Sequence, residues 1–158
     1  MQENPEQSIS YSYPNHRPLH LSCTNGHMAV TKLLLMKKAK IHLLAGKSNT
    51  IFHKAVYNGS AELIRMLVDT IKELYSESDL EKLLDTDSLD NKTPLQCAVE
   101  DDNRDVVDVL IESRASPHAS PFLPAPNADP QFLLVELYMA CSQGLLDMVK
   151  LLISKKEQ

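Results

Sequence analysis

Glycine is scarce in this chain, tryptophan is missing and no apolar run is long. With only four glycines among 158 residues, it has no glycine-rich loop to cradle a phosphate, no dinucleotide fingerprint and no G-x-S-x-G elbow for a nucleophilic serine. Nothing approaches the roughly 18 consecutive apolar residues that a membrane-spanning helix needs. The stretch from Met1 to Asn15 is polar and lacks the apolar segment of a signal peptide. Positive charge is short as well. The formal net charge is −5, which leaves no electrostatic footprint for nucleic acid or for an anionic membrane. The three cysteines, Cys23, Cys97 and Cys141, are an odd number without a close pair. They are expected to be reduced, packed as small hydrophobes, and to place the chain inside the cell, in the cytoplasm or nucleus.

What the chain does have is a phrase that returns. Arg17-Pro18-Leu19-His20, followed by Gly26-His27, comes back as Thr50-Ile51-Phe52-His53 followed by Gly59, and again as Thr93-Pro94-Leu95-Gln96. Arg17 and Thr50 lie 33 positions apart, an interval in the range of solenoid repeats. Within the first copy Pro18 can open a helix, because its missing N–H would have no partner there. Asn25-Gly26 then stops it, with Gly26 suited to a left-handed cap. Met28, Val30, Leu33, Leu34 and Leu35 supply the apolar stripe of a second helix. Leu34, and Leu110 two copies later, are expected to be buried there.

The order of phrase, short helix, glycine, second helix and extended turn resembles an ankyrin repeat. Thr50, His53, Ala55 and Gly59 hold that pattern in copy two; Thr93, Pro94, Leu95, Ala98, Val106, Val107, Leu110 and Ile111 hold it in copy three. Leu137, Ala140, Cys141, Gly144, Met148, Val149, Leu151, Leu152 and Ile153 hold it in copy four. The resemblance implies an all-α solenoid of about four helix-turn-helix copies with β-hairpin-like fingers. The corresponding division is a polar leader 1–14, copy one 15–47, copy two 48–87, copy three 88–119, a proline-rich finger 120–134 and a shortened copy four 135–158. It also implies that His20 and His53 tether neighbouring copies by hydrogen bonds. Leu84-Asp85-Thr86-Asp87 and Asn91-Lys92-Thr93-Pro94-Leu95 further resemble repeats of the cytoplasmic ankyrin domains of A-type transient-receptor-potential channels.

Several positions depart from the family pattern. Arg17 replaces the threonine whose hydroxyl fixes the turn, so copy one is expected to be less regular. Asp102-Asn103 stand where Gly-His is usual. Since aspartate fits the left-handed region less well than glycine, copy three is expected to have a looser turn between its helices. Copy two carries ten extra residues. The stripe Leu67, Ile71, Leu74, Tyr75 extends its second helix, and Ser78-Asp79-Leu80-Glu81 reads as a capping box opening a further short helix through Leu84. The four prolines between Ser120 and Pro130 exclude helix and suggest an extended finger, with Phe122 and Leu123 as exposed apolar candidates.

No catalytic, cofactor or metal site can be assembled from these residues. The histidines occupy repeat positions without metal-ligand spacing, and Asp85, Asp87 and Asp90 lack the glycine and late glutamate of a calcium loop. The expected partner is a protein, with no nucleic acid, small-molecule substrate or inserted membrane. Projected through the family pattern, its binding face comprises Leu21, Thr24, Asn25, Lys54, Tyr57, Asn58, Glu100, Asp101, Ser142 and Gln143. Tyr57 is the chief anchor and the acidic pair suits a basic segment. The chain thus reads as a protein-interaction scaffold, expected to belong to a longer polypeptide because Leu146, Val149 and Ile153 would otherwise stay uncovered. A channel's cytoplasmic domain and a regulatory domain attached to an enzyme are the alternatives.

Overall fold

In the computed structural model, which describes residues 17–114 and 134–157, a left-handed residue ends the turn between the two helices of each pair. Copy one is α1 (Pro18–Thr24) and α2 (Met28–Met36); copy two is α3 (Ile51–Asn58) and α4 (Ala61–Leu74), with the added α5 (Glu77–Asp85). Copy three is α6 (Pro94–Glu100) and α7 (Arg104–Arg114), and copy four is α8 (Leu134–Ser142) and α9 (Leu146–Lys156). The first helices α1, α3, α6 and α8 pack in sequence, and behind them α2, α4, α7 and α9 do the same. Each pair thereby buries its apolar side against the next, which makes one continuous core from Leu19 to Leu152.

Between pairs the chain makes fingers. Ala45 and Asn49 exchange two backbone hydrogen bonds of 2.9 and 2.8 Å, and the next finger closes through Ser88 N–H to the Lys92 carbonyl at 3.0 Å. The Leu89 N–H donates to the Lys47 carbonyl at 2.9 Å, joining one finger to the other. Among the described residues the only strand-like pairing is the isolated bridge at Ala45 and Asn49, so the array is all-α.

Caps explain the regularity of the first helices. Thr50 and Thr93 each open a helix through a reciprocal capping box, with His53 and Gln96 as the returning side chains. Gln96 therefore keeps the capping half of the histidine's job. Arg17 caps nothing with its side chain; its Nε donates instead to the Leu44 carbonyl at 2.8 Å. The substitution of Arg17 for threonine thus costs copy one its box.

Three expectations need correction. The turn of copy three is not loose. Asp102 adopts φ 52°, and the Asp102 and Asn103 amides donate to the Val99 and Ala98 carbonyls at 3.1 and 3.0 Å, the same pattern that Gly26 and His27 make in copy one. Asn103 adds a cap, accepting from the Val106 N–H at 3.2 Å. Second, the extra helix opens at Ser76, not Ser78: the box is Ser76 with Asp79, because Tyr75 already breaks from helical geometry and leaves Ser76 extended. Third, Leu34 is only half-buried. Its equivalents Leu67, Leu110 and Leu152 are buried because a preceding pair lies over them, whereas Leu35 faces the following pair and is fully enclosed.

The added segment bolts copy one to copy two. The Tyr75 hydroxyl sits 2.8 Å from the Ala39 carbonyl, just past α2, and 3.2 Å from that of Leu35, which also accepts from the Lys38 N–H. In return the Lys38 ammonium donates to the Leu74 carbonyl and lies 4.8 Å from the centre of the Tyr75 ring.

Two stability outcomes follow from these placements. Leu110→Ala, which empties an enclosed site, is expected to cost about 2–5 kcal/mol in chemical denaturation, while Leu34→Ala costs about half as much or less and Lys54→Ala under about 0.5 kcal/mol. Asp102→Gly is expected to raise stability by about 0.5–1 kcal/mol, since glycine adopts the left-handed turn without the Cβ penalty; an unchanged denaturation midpoint would show that the strain is already relieved.

Candidate interaction face

The ten positions singled out from the sequence fall into three registers of the first helices. Leu21 and Lys54 share one; Thr24, Tyr57, Glu100 and Ser142 share the next; Asn25, Asn58, Asp101 and Gln143 share the third. Because α1, α3, α6 and α8 stack in order, each register forms a row that climbs the array. Tyr57 is 78% exposed and Leu21 is 42% exposed, the two large apolar side chains of the set in solvent. Asn25, Glu100, Asp101, Ser142 and Gln143 are exposed, whereas Lys54, Thr24 and Asn58 are half-buried.

Two of the half-buried residues have internal work. The Thr24 hydroxyl donates to the His20 carbonyl at 2.9 Å. The Asn58 amide donates across the seam to the Thr24 carbonyl at 3.2 Å and packs against Gly26, where an added Cβ would lie 2.9 Å from the Asn58 Nδ2. One seam further along, Asn103 donates to the Gly59 carbonyl at 2.9 Å. Two successive seams are thus each tied by a turn asparagine, from different registers of the repeat. The signal was present in the sequence, as an asparagine near the close of α3 and at the head of α7, but a single chain offers no reason to read it as a tether.

The acidic end of the face includes a cation that sequence reading missed. Lys92, on the finger before α6, places its ammonium 2.5 Å from a Glu100 carboxylate oxygen, and that bond raises the lysine above its usual range. Asp101 is pushed up, first by burial and then by the neighbouring Glu100 charge. The net acidic character there is therefore carried by Asp101, Asp102 and Asp105, which line an open depression with Asn103 and Arg104. Tyr138 and Leu89, 73% and 66% exposed, also lie outside the expected set. Tyr138 occupies the repeat's histidine position, and Leu89 is a fingertip.

The two first-helix histidines, His20 and His53, sit inside the array. His53 Nδ1 accepts from the Thr50 N–H at 3.1 Å and its Nε2 lies 2.9 Å from the Lys92 carbonyl; the pattern requires a neutral ring protonated at Nε2. It ties α3 to the following finger, as expected. His20 sits at the equivalent place beside the Asn49 and Leu43 carbonyls, yet neither ring nitrogen makes a hydrogen bond of normal geometry. Burial, then the Arg17 charge, lowers His20 to about 4; burial likewise lowers His53.

No nucleophile or metal centre emerges among the described residues. Burial pushes the Cys23 thiol up to about 12 and Cys97 to about 11, far from thiolate chemistry at neutral pH. Cys141 does not share the enclosure expected for it. It is exposed because no following pair covers the position that hides Cys23, Val56 and Val99. Among the described residues no group of three or more His, Cys, Asp or Glu side chains could hold a metal ion, and no helix is long and apolar enough to cross a membrane.

A family model of ankyrin repeats in three copies matches residues 19–121. The chain belongs to the ankyrin-repeat family. Among curated proteins it is similar to the Caenorhabditis elegans ankyrin repeat and KH domain-containing protein mask-1, at 27% identity over 173 aligned positions, which take in 97% of this chain and 6% of that protein. Among solved structures it resembles the human ASB11 ankyrin repeat domain, with a TM-score of 0.51 and 20% identity over 88% of this chain and 69% of that one. That likeness shows the shared fold. Both helices of copy four, α8 and α9, lie past the matched span, yet they repeat its packing.

The depressed histidines set an acid limit. A histidine whose folded pKa lies below the unfolded value of about 6.5 binds fewer protons when folded, so its contribution is complete above about pH 6.5 and is lost as pH falls toward about 4. For His20 that loss is on the order of 2–3 kcal/mol. Urea midpoints measured from pH 7 to pH 4 are expected to fall steeply for the native chain and less steeply for His20→Gln. Parallel slopes would place the acid sensitivity elsewhere.

Proposed function

We propose that this ankyrin array is a non-catalytic scaffold that grips a protein partner along its first-helix rows and fingers. Ankyrin repeats are protein–protein interaction modules; the finer assignment to this face is carried by Tyr57, a nearly free aromatic ring on a rigid helix, between the aliphatic Leu21 side and the acidic α6 end. Such a ring loses little entropy on binding and is the side-chain type enriched where interfaces concentrate their energy. The gradient from Lys54 to Asp101 and Asp102 favours a segment whose basic residues lie toward copy three. Small molecules and nucleic acid are not its ligands in this reading. The array works inside the cell, where its three free thiols stay reduced, and as one part of a longer polypeptide, as it is in proportion to mask-1.

Affinity capture with the folded chain identifies the partner, and surface plasmon resonance then compares variants. Tyr57→Ala is expected to weaken binding by at least about 1 kcal/mol, while neutralising Asp101 and Asp102 together slows association and flattens its salt dependence. Should Tyr57→Ala bind like the native chain while Lys150→Glu on the opposite helices abolishes binding, the assignment of the face is wrong.

A further inference from the structure

Tyr57 and Glu100 follow one another in a single row on α3 and α6, and these two helices have α1 and α8 packed on either side of them. The exposure of this stretch therefore does not come from the ends of the array. Tyr57 stands nearly free in solvent, but the acid next along the row is already held. The Lys92 ammonium lies 2.5 Å from a Glu100 carboxylate oxygen, and its charge also acts on the adjoining Asp101. One ammonium thus serves two neighbouring carboxylates.

Lys92 reaches this place from a fixed backbone. Its carbonyl accepts from the Ser88 N–H at 3.0 Å and lies 2.9 Å from His53 Nε2, which pins the root of the side chain between its own finger and α3. The head is held more loosely. The Lys92 and Glu100 side chains are 32% and 43% exposed, and an ion pair so open to water is weak. Asp90, on the same finger, lies within reach of the lysine's charge, so an ammonium pushed off Glu100 has another acid to turn to.

A cation arriving on a partner must therefore compete with a resident one. A lysine would exchange one ammonium for another and gain little. A guanidinium differs in kind, because its planar fork meets two carboxylate oxygens at once, it is more weakly hydrated, and it stacks on an aromatic ring. We propose that the row from Tyr57 to Glu100 selects an arginine of the partner protein, whose guanidinium lies on the Tyr57 ring and takes Glu100 from Lys92; the proposal rests on the first-helix face being the binding surface. Lys92 is then a specificity filter, set against lysine-bearing segments of the same charge.

The probes are two N-acetylated dipeptide amides of equal charge, leucyl-arginine and leucyl-lysine, titrated into the full chain and followed through its backbone amides by NMR. The arginine probe is expected to shift the amides of Tyr57, Glu100 and Asp101 and to bind at least about fivefold more tightly than the lysine probe. In Lys92→Met the lysine probe gains most, and the preference shrinks to about twofold or less. The tie to His53 uses the Lys92 backbone, so this substitution leaves it in place. Lys82→Met removes the same charge from the exposed side of α5 and keeps the native preference. Tyr57→Leu narrows it by weakening the arginine probe alone. A preference that is the same in the native chain and in Lys92→Met overturns the filter, while shifts still centred on Tyr57 leave the face standing. No shift with either probe also overturns the filter. Shifts centred on α4 and α7 overturn the filter and the first-helix face together.

Discussion

A helix pair of some thirty residues cannot bury its apolar side by itself, and everything in this array follows from that. Each pair has a preceding side and a following side, and the same side chains are enclosed or open according to whether a neighbour is present. Val56 and Val99 are hidden and Cys141 is exposed at one and the same register. The core is a chain of seams, each made from two half-cores that are unstable alone. Stability accordingly resides in junctions, and polar residues there earn their place by fixing how one pair sits on the next.

Those polar ties are of three kinds. A histidine in the first helix reaches the following finger, a turn asparagine reaches back to the previous turn, and acid–base pairs link successive second helices. The neutral histidine and asparagine bonds are partly sheltered from water and need precise alignment, so they set the angle between pairs. The ion pairs are more exposed and contribute less to stability, but they discriminate by sign which helix can lie against which. At His20 the histidine tie is incomplete, neither ring nitrogen being hydrogen-bonded, and burial with the Arg17 charge holds the ring neutral.

The fold was legible in the sequence because repetition multiplies weak signals. Pro18-Leu19-His20 alone says little; in step with Ile51-Phe52-His53 and Pro94-Leu95-Gln96 it says where each of the first three helix pairs starts, and the predicted helix pairs, the long second helix of copy two and the equivalence of His20 with His53 are all present. What escaped was decided by neighbours that periodicity does not reveal. Leu34 and Leu35 look alike on a helical stripe, yet only the stacking order tells which faces an occupied side. Asp102 looked too poor a fit for its turn, but hydrogen bonds to Val99 and Ala98 hold it in a conformation its own preference would not choose. For the candidate face, the sequence supplied positions and could not show which side chains are already engaged. Asn58 and Thr24 are tied inward, Glu100 is held by Lys92, and Tyr57 alone among the larger side chains stands nearly free. The proline-rich finger expected at 120–134 lies outside the described residues except for Leu134.

The bolt between Tyr75 and the end of α2 changes how the array comes apart. An uncapped outermost pair ordinarily frays first, its amides exchanging with solvent while the interior stays closed. Here the Ala39 and Leu35 carbonyls lie against the hydroxyl of Tyr75, the residue that closes the long helix of copy two. Opening α2 from its C-terminal end therefore means disturbing α4 as well. The two helices are therefore expected to exchange their amides as one cooperative unit, so that the boundary between what opens early and what opens late runs through the first helix pair, with the start of α1 on the labile side and the end of α2 on the protected one.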